Sequence, residues 1–214
     1  MFIKKASYTA IFGAALLLVA VSMMCAAGAN AQDDKSVSPR TTLDNLMTAY
    51  NGEVNANARY LAFAKKANQE GYDIAASLFR AAAAAEAVHY GRHAEVIKKL
   101  GGTPQATIEI LNVKSTRENI ESALKGETYE KDVMYPEFLK QANKENIKDA
   151  IDALEDAGAV HAQLYANMLK NLKISKGLLK DFFVCPVCGN IVDALTSIMC
   201  PICSTDTKKF RQIN

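Results

Sequence analysis

The stretch Ala81-Ala-Ala-Ala-Ala-Glu86-Ala-Val-His89-Tyr90 decides how the rest of the chain is interpreted. Five consecutive alanines strongly favour a helix, and their small side chains let neighbouring helices approach closely. Glu86 and His89 are three residues apart, so they lie on one face of this helix, about one turn apart. The apolar positions of the helix fall on that same face: Ile74, Leu78, Ala82, Val96, Ile97 and Leu100. A carboxylate and an imidazole are therefore expected on a buried face, where each is costly unless it is paired.

The spacing of apolar residues predicts three further helices. The first begins after Thr41 or Thr42, either of which can cap it, and ends near Gly71. Asp73 is predicted to cap the alanine-rich helix, which runs to Leu100. Because the connection between these two helices is so short, they should form an antiparallel pair.

The remaining helices are predicted from a long connection and a capping motif. Residues 101–114 are long enough to cross to the far end of a bundle, as in the ferritin-like arrangement. Ser115 and Glu118 form a capping box that opens the third helix, and Pro136 should kink that helix. The fourth helix is expected over residues 145–172. We therefore predict a mainly α fold, a ferritin-like four-helix bundle over residues 41–173.

Each of the four helices carries ligand-type side chains on its apolar stripe, at mid-height of the bundle. They are Glu53, Glu86 with His89, Glu127 with Glu130, and His161. An isolated Glu–His ion pair would account for one helix, but charges on all four stripes need a common partner, since buried glutamates are almost never unpaired. Inward carboxylates and imidazoles from four helices are the di-iron carboxylate pattern. His93 is the weaker candidate, expected beside the ligands or at the surface.

The cysteine spacing in the tail, residues 174–214, predicts a second metal site. Cys185-Pro-Val-Cys188 and Cys200-Pro-Ile-Cys203 are separated by eleven residues and supply four thiolates for a tetrahedral site. The alternative is two disulfides, which an exported protein permits, but tight knuckles of this kind suit a metal better. Zinc and iron both accept four sulfurs in a tetrahedron, so ligand type does not choose between them.

The first 31 residues have the composition of a secretory signal. A basic start is followed by an apolar run that is short for a membrane span, and then by a small-x-small cleavage motif: Lys4 and Lys5, residues 11–21, and Ala29-Asn-Ala31. We expect cleavage before Gln32 and a periplasmic location, with an uncleaved anchor as the alternative. Residues 32–40 are polar and are expected to form a flexible lead-in.

The composition excludes some classes of protein. Half of the 214 residues are hydrophobic, enough to bury a sizeable core. Without the two lysines of residues 1–31, the chain has 23 basic and 23 acidic residues, and this neutrality gives no indication of nucleic-acid binding. No second long apolar run indicates a membrane-embedded domain.

Nearly all of the chain after residue 31 resembles the rubrerythrins, in which a ferritin-like di-iron bundle precedes a rubredoxin-like domain. The matching pieces are Asn51-Gly-Glu53, Asn57-Ala-Arg-Tyr60, Leu78-Phe-Arg-Ala-Ala82, Glu86-Ala-Val-His89, Gly126-Glu-Thr-Tyr-Glu130, Met134-Tyr-Pro-Glu-Phe138 and the paired C-x-x-C knuckles. The resemblance implies a peroxidase that reduces hydrogen peroxide at the di-iron site. Its electrons would come from a redox protein or reductase and pass through an iron held by the four cysteines. It also implies a homodimer.

The resemblance assigns a role to each candidate residue. The di-iron ligands would be Glu53, Glu86, His89, Glu127, Glu130 and His161. One iron in this family exchanges a glutamate for a histidine as its redox state changes, and the matching residues here are Glu130 and His89. Tyr60 and Tyr135 match tyrosines that hydrogen-bond the ligand carboxylates.

The chain departs from the family pattern at one ligand. The fourth helix of the family also carries Glu-x-x-His, but here the sequence is Gly158-Ala-Val-His161. The missing residue corresponds to a bridging carboxylate, and neither Glu155 nor Asp156 replaces it without local distortion. Two alternatives to a peroxidase therefore stay open. One is a non-catalytic metal-binding or electron-transfer protein with a degraded di-iron site, and the other is a ferroxidase, which would leave the cysteine tail unexplained.

The substitution Gly158→Glu tests whether a bridging ligand has been lost. It restores Glu-x-x-His on the fourth helix and replaces a residue that costs about 1 kcal/mol in a helix interior. We expect the variant to hold iron more tightly in the bundle and to reduce peroxide faster than the wild type. Iron per chain and peroxide rate are measured side by side. Unchanged iron with a lower rate would show instead that Gly158 leaves room that the site needs.

Overall fold

A computed structural model describes residues 40–155 and 161–214. Its helices are α1 (Thr42–Gln69), α2 (Asp73–Lys99), α3 (Thr116–Tyr129), α4 (Tyr135–Glu145), α5 (Lys148–Glu155) and α6 (His161–Asn171). A π-helical turn, Glu130–Met134, joins α3 to α4, and a 3₁₀ turn, Leu172–Ile174, follows α6. The signal predicted over residues 1–31 and the substituted position Gly158 lie outside the described residues.

Two of the predicted helix caps are confirmed and one is wrong. Thr41 caps α1 in a capping box, and Ser115 with Glu118 forms the box that opens α3. Asp73 is the first residue of α2 and not its cap. The reason is the preceding turn: Gly71 adopts φ +77°, and the N–H of Tyr72 donates to the carbonyl of Ala67. This glycine-closed turn ends α1 and leads directly into α2.

The third and fourth predicted helices differ from the structure in detail. The irregularity expected at Pro136 takes the form of the π-helical turn just before it, and Pro136 itself lies in the first turn of α4, where proline is tolerated. The helix predicted from residue 145 begins at Lys148, because Asn146 adopts a left-handed conformation (φ 56°) that ends α4. On α1, Leu61 is 52% exposed, whereas its neighbour Tyr60 is buried.

The buried apolar side chains form two clusters at opposite ends of the bundle. One cluster contains the packed aromatic rings of Tyr60, Phe63, Phe79 and Tyr165 together with the alanines of α2. The other contains Leu46, Ala49, Val96, Ile97, Tyr135, Phe138, Ala142, Ala150, Ala153 and Leu154. The predicted ligands lie on the helices between these two clusters. No helix within residues 40–155 or 161–214 is long and apolar enough to span a membrane.

A small three-stranded antiparallel sheet follows the bundle. Its strands are β1 (Phe182–Val184), β2 (Ile191–Val192) and β3 (Arg211–Ile213), in the order β2-β1-β3. Phe182, Val184 and Ile191 are buried in the same apolar cluster as the alanines of α2. The alanine run therefore lets the sheet lie close against the bundle, and the cysteine module shares the bundle's core.

Candidate metal centres

A layer of buried charged side chains lies between the two apolar clusters. Glu53, Glu86, His89, Glu127 and His161 are each at most 5% exposed. They form two groups that share Glu86: Glu53 and His89 belong to one, Glu127 and His161 to the other. Within each group the ligand atoms lie within 4.8 Å of one another. The structure thus brings together five of the six predicted di-iron ligands.

Both imidazoles turn their Nδ1 atoms toward the carboxylates. His89 Nδ1 is 2.7 Å from Glu86 Oε2 and 3.7 Å from Glu53 Oε1. His161 Nδ1 is 3.3 Å from Glu86 Oε1 and 3.3 Å from Glu127 Oε2. The two rings stack with their centroids 5.5 Å apart. Among the carboxylates of the described residues, Glu86, in the middle of α2, is therefore the one that lies against both histidines.

The electrostatics of the layer differ from one carboxylate to the next. Burial, reinforced by the negative charges of Glu86 and Glu130, raises the pKa of Glu53 well above its ordinary value. Burial would also raise the pKa of Glu86, but His161 and His89 together hold it low. Burial opposes the charge on His161, yet Glu127 and Glu86 outweigh it and raise the pKa of that imidazole. Glu86 and His161 thus stabilise each other's charged forms.

Several buried polar atoms of the layer have no hydrogen-bond partner among the described residues. They are Glu53 Oε2, Glu86 Oε1, Glu127 Oε2 and His161 Nδ1. His161 Nδ1 lies 3.3 Å from Glu86 Oε1 and from Glu127 Oε2, but neither pair has hydrogen-bond geometry. Unpaired buried polar atoms are rare in proteins and need an explanation. Carboxylate oxygens and imidazole nitrogens are ligands that iron accepts, and the orphaned atoms belong to both groups. The residues present therefore fit two metal ions that share Glu86.

Glu130 occupies a different position from the other ligands. It is the first residue of the π-helical turn, is only partly buried, and belongs to neither of the two groups. Burial and the charges of Glu127 and Glu86 raise its pKa. Since π-helical turns inside α-helices are frequent at functional sites, the local geometry is compatible with a carboxylate that moves. Its predicted role as an iron ligand remains a prediction.

The two predicted tyrosines contact the ligand carboxylates. The Tyr60 hydroxyl donates to Glu127 Oε1 at 2.6 Å, and the Tyr135 hydroxyl donates to Glu53 Oε1. Each tyrosine thereby fixes the orientation of one buried carboxylate. Metal ligands are commonly positioned in this way by a hydrogen-bonding neighbour.

Two further buried residues, His93 and Tyr165, lie behind the layer of ligands. His93 is fully buried, with Nε2 3.4 Å from the Tyr135 hydroxyl, so the alternative of a surface histidine is wrong. Burial, together with the charge of His89, lowers the pKa of His93 to about 3. Tyr165 is also buried, and its ring lies against Tyr60. The spacing of each from a ligand was the available signal, because both follow a ligand histidine by four residues.

The four cysteines of the tail form one compact group. The Cys185 and Cys203 sulfurs are 3.6 Å apart, as are those of Cys188 and Cys200. A disulfide requires about 2.05 Å, and the cysteines are free, so the alternative of two disulfides is not what the structure shows. Metal–sulfur bonds of about 2.3 Å in a tetrahedron place neighbouring sulfurs roughly 3.8 Å apart. The group is therefore preformed for a metal.

His89 also connects the two sites. Its Nε2–H donates to the backbone carbonyl of Cys188 at 3.1 Å, while its Nδ1 faces Glu86. Gly189 makes this approach possible: it adopts φ +76°, and a Cβ there would lie only 2.4 Å from His89 Nε2. An imidazole whose second nitrogen donates to a carbonyl is the usual arrangement of a metal-bound histidine.

Comparisons with known proteins agree with this architecture. The family model described as rubrerythrin matches residues 44–173. Nigerythrin of Nitratidesulfovibrio vulgaris is 35% identical over 174 residues, covering 79% of this chain and 85% of the relative. Rubrerythrin-2 of Clostridium acetobutylicum is 30% identical over 181 residues, covering 82% and 98%.

Solved structures show the same similarity. Fully reduced, all-ferrous nigerythrin superposes with a TM-score of 0.75 at 32% identity, covering 85% of this chain and 91% of that one. A bacterioferritin of Desulfovibrio desulfuricans, at 20% identity and a TM-score of 0.60, covers 64% of this chain and shares the bundle fold.

Fold and sites together define a ferritin-like metal-carboxylate bundle fused to a rubredoxin-like tetracysteine module. The chain belongs to the rubrerythrin family. Its cofactor is accordingly iron, with the carboxylate–histidine layer and the four cysteines as the residues that hold it.

The raised pKa of Glu53 predicts a conflict between stability and metal binding. A carboxyl whose pKa is higher in the folded than in the unfolded protein loses stability as the pH rises above the unfolded value near 4.5. At neutral pH, Glu53→Gln should therefore raise the unfolding temperature of the metal-free protein, because the uncharged amide removes a buried carboxylate whose ionisation opposes folding. Its iron content should fall, because an uncharged amide replaces a carboxylate ligand.

Thermal unfolding of the metal-free protein between pH 5 and 8 measures this effect, with iron per chain measured in parallel. Glu137→Gln, an exposed glutamate on α4, is the matched control and should change neither quantity. If Glu53→Gln lowers the unfolding temperature of the metal-free protein, the buried carboxylate is not the source of strain proposed here.

Proposed function

We propose that the chain is a peroxidase that reduces hydrogen peroxide to two molecules of water, using two protons and two electrons. The electrons enter at the tetracysteine site and reach the bundle through His89. The observation that carries this proposal is the contact of His89 with both sites: Nδ1 faces the carboxylate layer and Nε2 donates to Cys188. Membership of the rubrerythrin family supports it.

Iron held by these residues would supply the electrons for cleavage of the O–O bond. The chain's own residues hold and shape its site. Glu86, shared by both groups, holds the two halves of the site together, and Tyr60 and Tyr135 orient Glu127 and Glu53. The two apolar clusters on either side keep bulk water out.

Glu130 marks the side from which a small substrate reaches the layer. It is the least buried of the predicted ligands, and it lies in the π-helical turn and not in a regular α-helix. A side chain in such a turn is less constrained than one in the middle of a packed helix. Glu130 is therefore placed to move aside and let a molecule as small as peroxide reach the buried carboxylates.

A non-catalytic electron-transfer or metal-binding protein is the second candidate. The observation that favours it is Gly158, which stands where the family has a carboxylate. A ferroxidase is less well supported, because it has no need of the cysteine module. Peroxide consumption by pre-reduced protein, compared with its iron content, separates the peroxidase from both alternatives.

Location and assembly follow from the same proposal. The signal-like residues 1–31 support export and action in the periplasm, and fractionation of cells producing the full chain tests it. The family resemblance supports a homodimer, which sedimentation analysis tests.

The contact between Gly189 and His89 gives a direct test of the relay. Gly189→Ala should push the tetracysteine module away from α2, because its Cβ would clash with His89 Nε2 at 2.4 Å. We expect normal absorption from the tetracysteine iron but at least about tenfold slower electron transfer to the bundle, since ~1.4 kcal/mol already changes a rate tenfold. Stopped-flow reoxidation of the reduced tetracysteine iron by peroxide measures it.

Gly177→Ala is the matched control for this experiment. Gly177 has a similar backbone conformation (φ +72°), but a Cβ there meets nothing within 4 Å. The control therefore carries the same backbone strain without touching the relay. Equal reoxidation rates in the Gly189 and Gly177 variants would exclude the His89–Cys188 contact as the route.

A further inference from the structure

The tetracysteine site has two ends with different surroundings. Cys188 is fully buried on the side of the bundle, where its carbonyl accepts from His89. Cys203, in the second knuckle, is the one cysteine of the four that is partly exposed. If electrons leave through the first knuckle, they must enter from the side of the second.

The second knuckle presents an apolar surface to solvent. Ile198 is 81% exposed, and Leu195, Met199 and Ile202 are each more than 40% exposed. Leu195 and Met199 also line a shallow groove of about 170 Å³ with Pro201 and Phe210. Large apolar side chains exposed this close together in a small module indicate an interaction surface.

Two lysines flank these apolar side chains. The N–H of Thr207 donates to the carbonyl of Ile198 at 3.0 Å, and Met199 pairs with Asp206, so the turn Thr207–Lys209 lies beside Ile198 and Met199. Lys208 and Lys209 are exposed and form no ion pair with any residue in the described part of the chain. We call Leu195, Ile198, Met199, Ile202, Lys208 and Lys209 the second-knuckle face.

The charge of this region is unbalanced. Residues 194–214 contain Lys208, Lys209 and Arg211 but a single acidic residue, Asp206. The Asp206 side chain accepts from the backbone N–H of Lys208. The chain after residue 31 is neutral as a whole, so positive charge is concentrated beside the exposed knuckle. An apolar centre with a cationic rim complements a partner with an apolar centre and an acidic rim.

We propose that the second-knuckle face is the docking site of the electron donor, and that the donor is a small acidic one-electron carrier with a flavin or iron–sulfur centre. In each encounter one electron passes from the reduced carrier to the ferric tetracysteine iron, with no bond made or broken. This inference rests on the proposed function, since it names the donor for the same relay. Positive charge on the face raises the encounter rate, and the apolar centre holds the carrier close to Cys203.

Reduction of the tetracysteine iron by reduced flavodoxin, an acidic flavin protein, tests the proposal in the full chain. Lys208→Glu with Lys209→Glu should lower the second-order rate at least tenfold at low ionic strength, and the rate should lose its dependence on salt. Ile198→Ser with Met199→Ser should slow reduction at every salt concentration. The matched control is Lys65→Glu with Lys125→Glu, two exposed lysines of the bundle, which changes net charge equally.

A second readout does not depend on turnover. With zinc in the tetracysteine site, oxidised flavodoxin should bind the wild type and the bundle control equally and the Lys208/Lys209 variant at least tenfold more weakly, as measured by calorimetry. Reduction by dithionite, which needs no docking, should be the same in all variants and shows that the site is intact. Equal losses in the face and control variants would overturn the docking site.

The outcomes separate this inference from the proposed function. If pre-reduced protein fails to consume peroxide but reduction by flavodoxin still depends on Lys208 and Lys209, the peroxidase proposal is wrong and the docking site is supported. If peroxide is consumed but the binding of flavodoxin and the rate of reduction do not depend on Lys208 and Lys209, the docking site alone is wrong. If Ile198→Ser with Met199→Ser turns a dimer into a monomer in sedimentation, a second copy of the chain covers the face and the proposal is wrong.

Discussion

The burial of carboxylates and imidazoles between two apolar clusters is the constraint on which the rest of the molecule depends. At both ends the bundle is an ordinary close-packed core, but between them α1, α2, α3 and α6 turn charge inward: Glu53, Glu86, His89, Glu127 and His161 are almost completely buried. Replacing them with apolar residues would suit the fold better, because buried ion groups seldom add stability over hydrophobic ones. Their presence is explained by what they bind.

His89 connects this layer to the tetracysteine site. Its ring has two nitrogens with separate duties, one directed at Glu86 and the other at the carbonyl of Cys188. The alanines that precede His89 have side chains small enough for the sheet to pack against α2 and share the core of the bundle. Gly189 has no side chain, so its backbone can lie directly against His89. The alanine run of α2, which by itself indicates only helix propensity, thus helps to position the second metal site.

Much of the fold and of the site was predictable from the sequence, for identifiable reasons. Stripes with a helical period located the helices, and charges on those stripes revealed Glu53, Glu86, Glu127 and His161, because a buried charge contradicts the pattern around it. The π-helical turn at Glu130 was not predicted from the sequence. The left-handed Asn146 was also missed, although asparagine is, after glycine, the residue that most readily ends a helix in this conformation. The sequence left two places open for His93, beside the ligands or at the surface, and the contact with Tyr135 that decides between them joins residues 42 positions apart.

The metal-free layer is tolerable because protons take the place of the metal. His89 faces Glu86 with one ring nitrogen and the Cys188 carbonyl with the other. The raised pKa of His161 keeps it protonated beside Glu86 and Glu127. Burial and neighbouring carboxylates raise the pKa of Glu53 and Glu130, which favours their neutral forms. Metal must therefore displace protons as it binds, and its affinity should rise with pH.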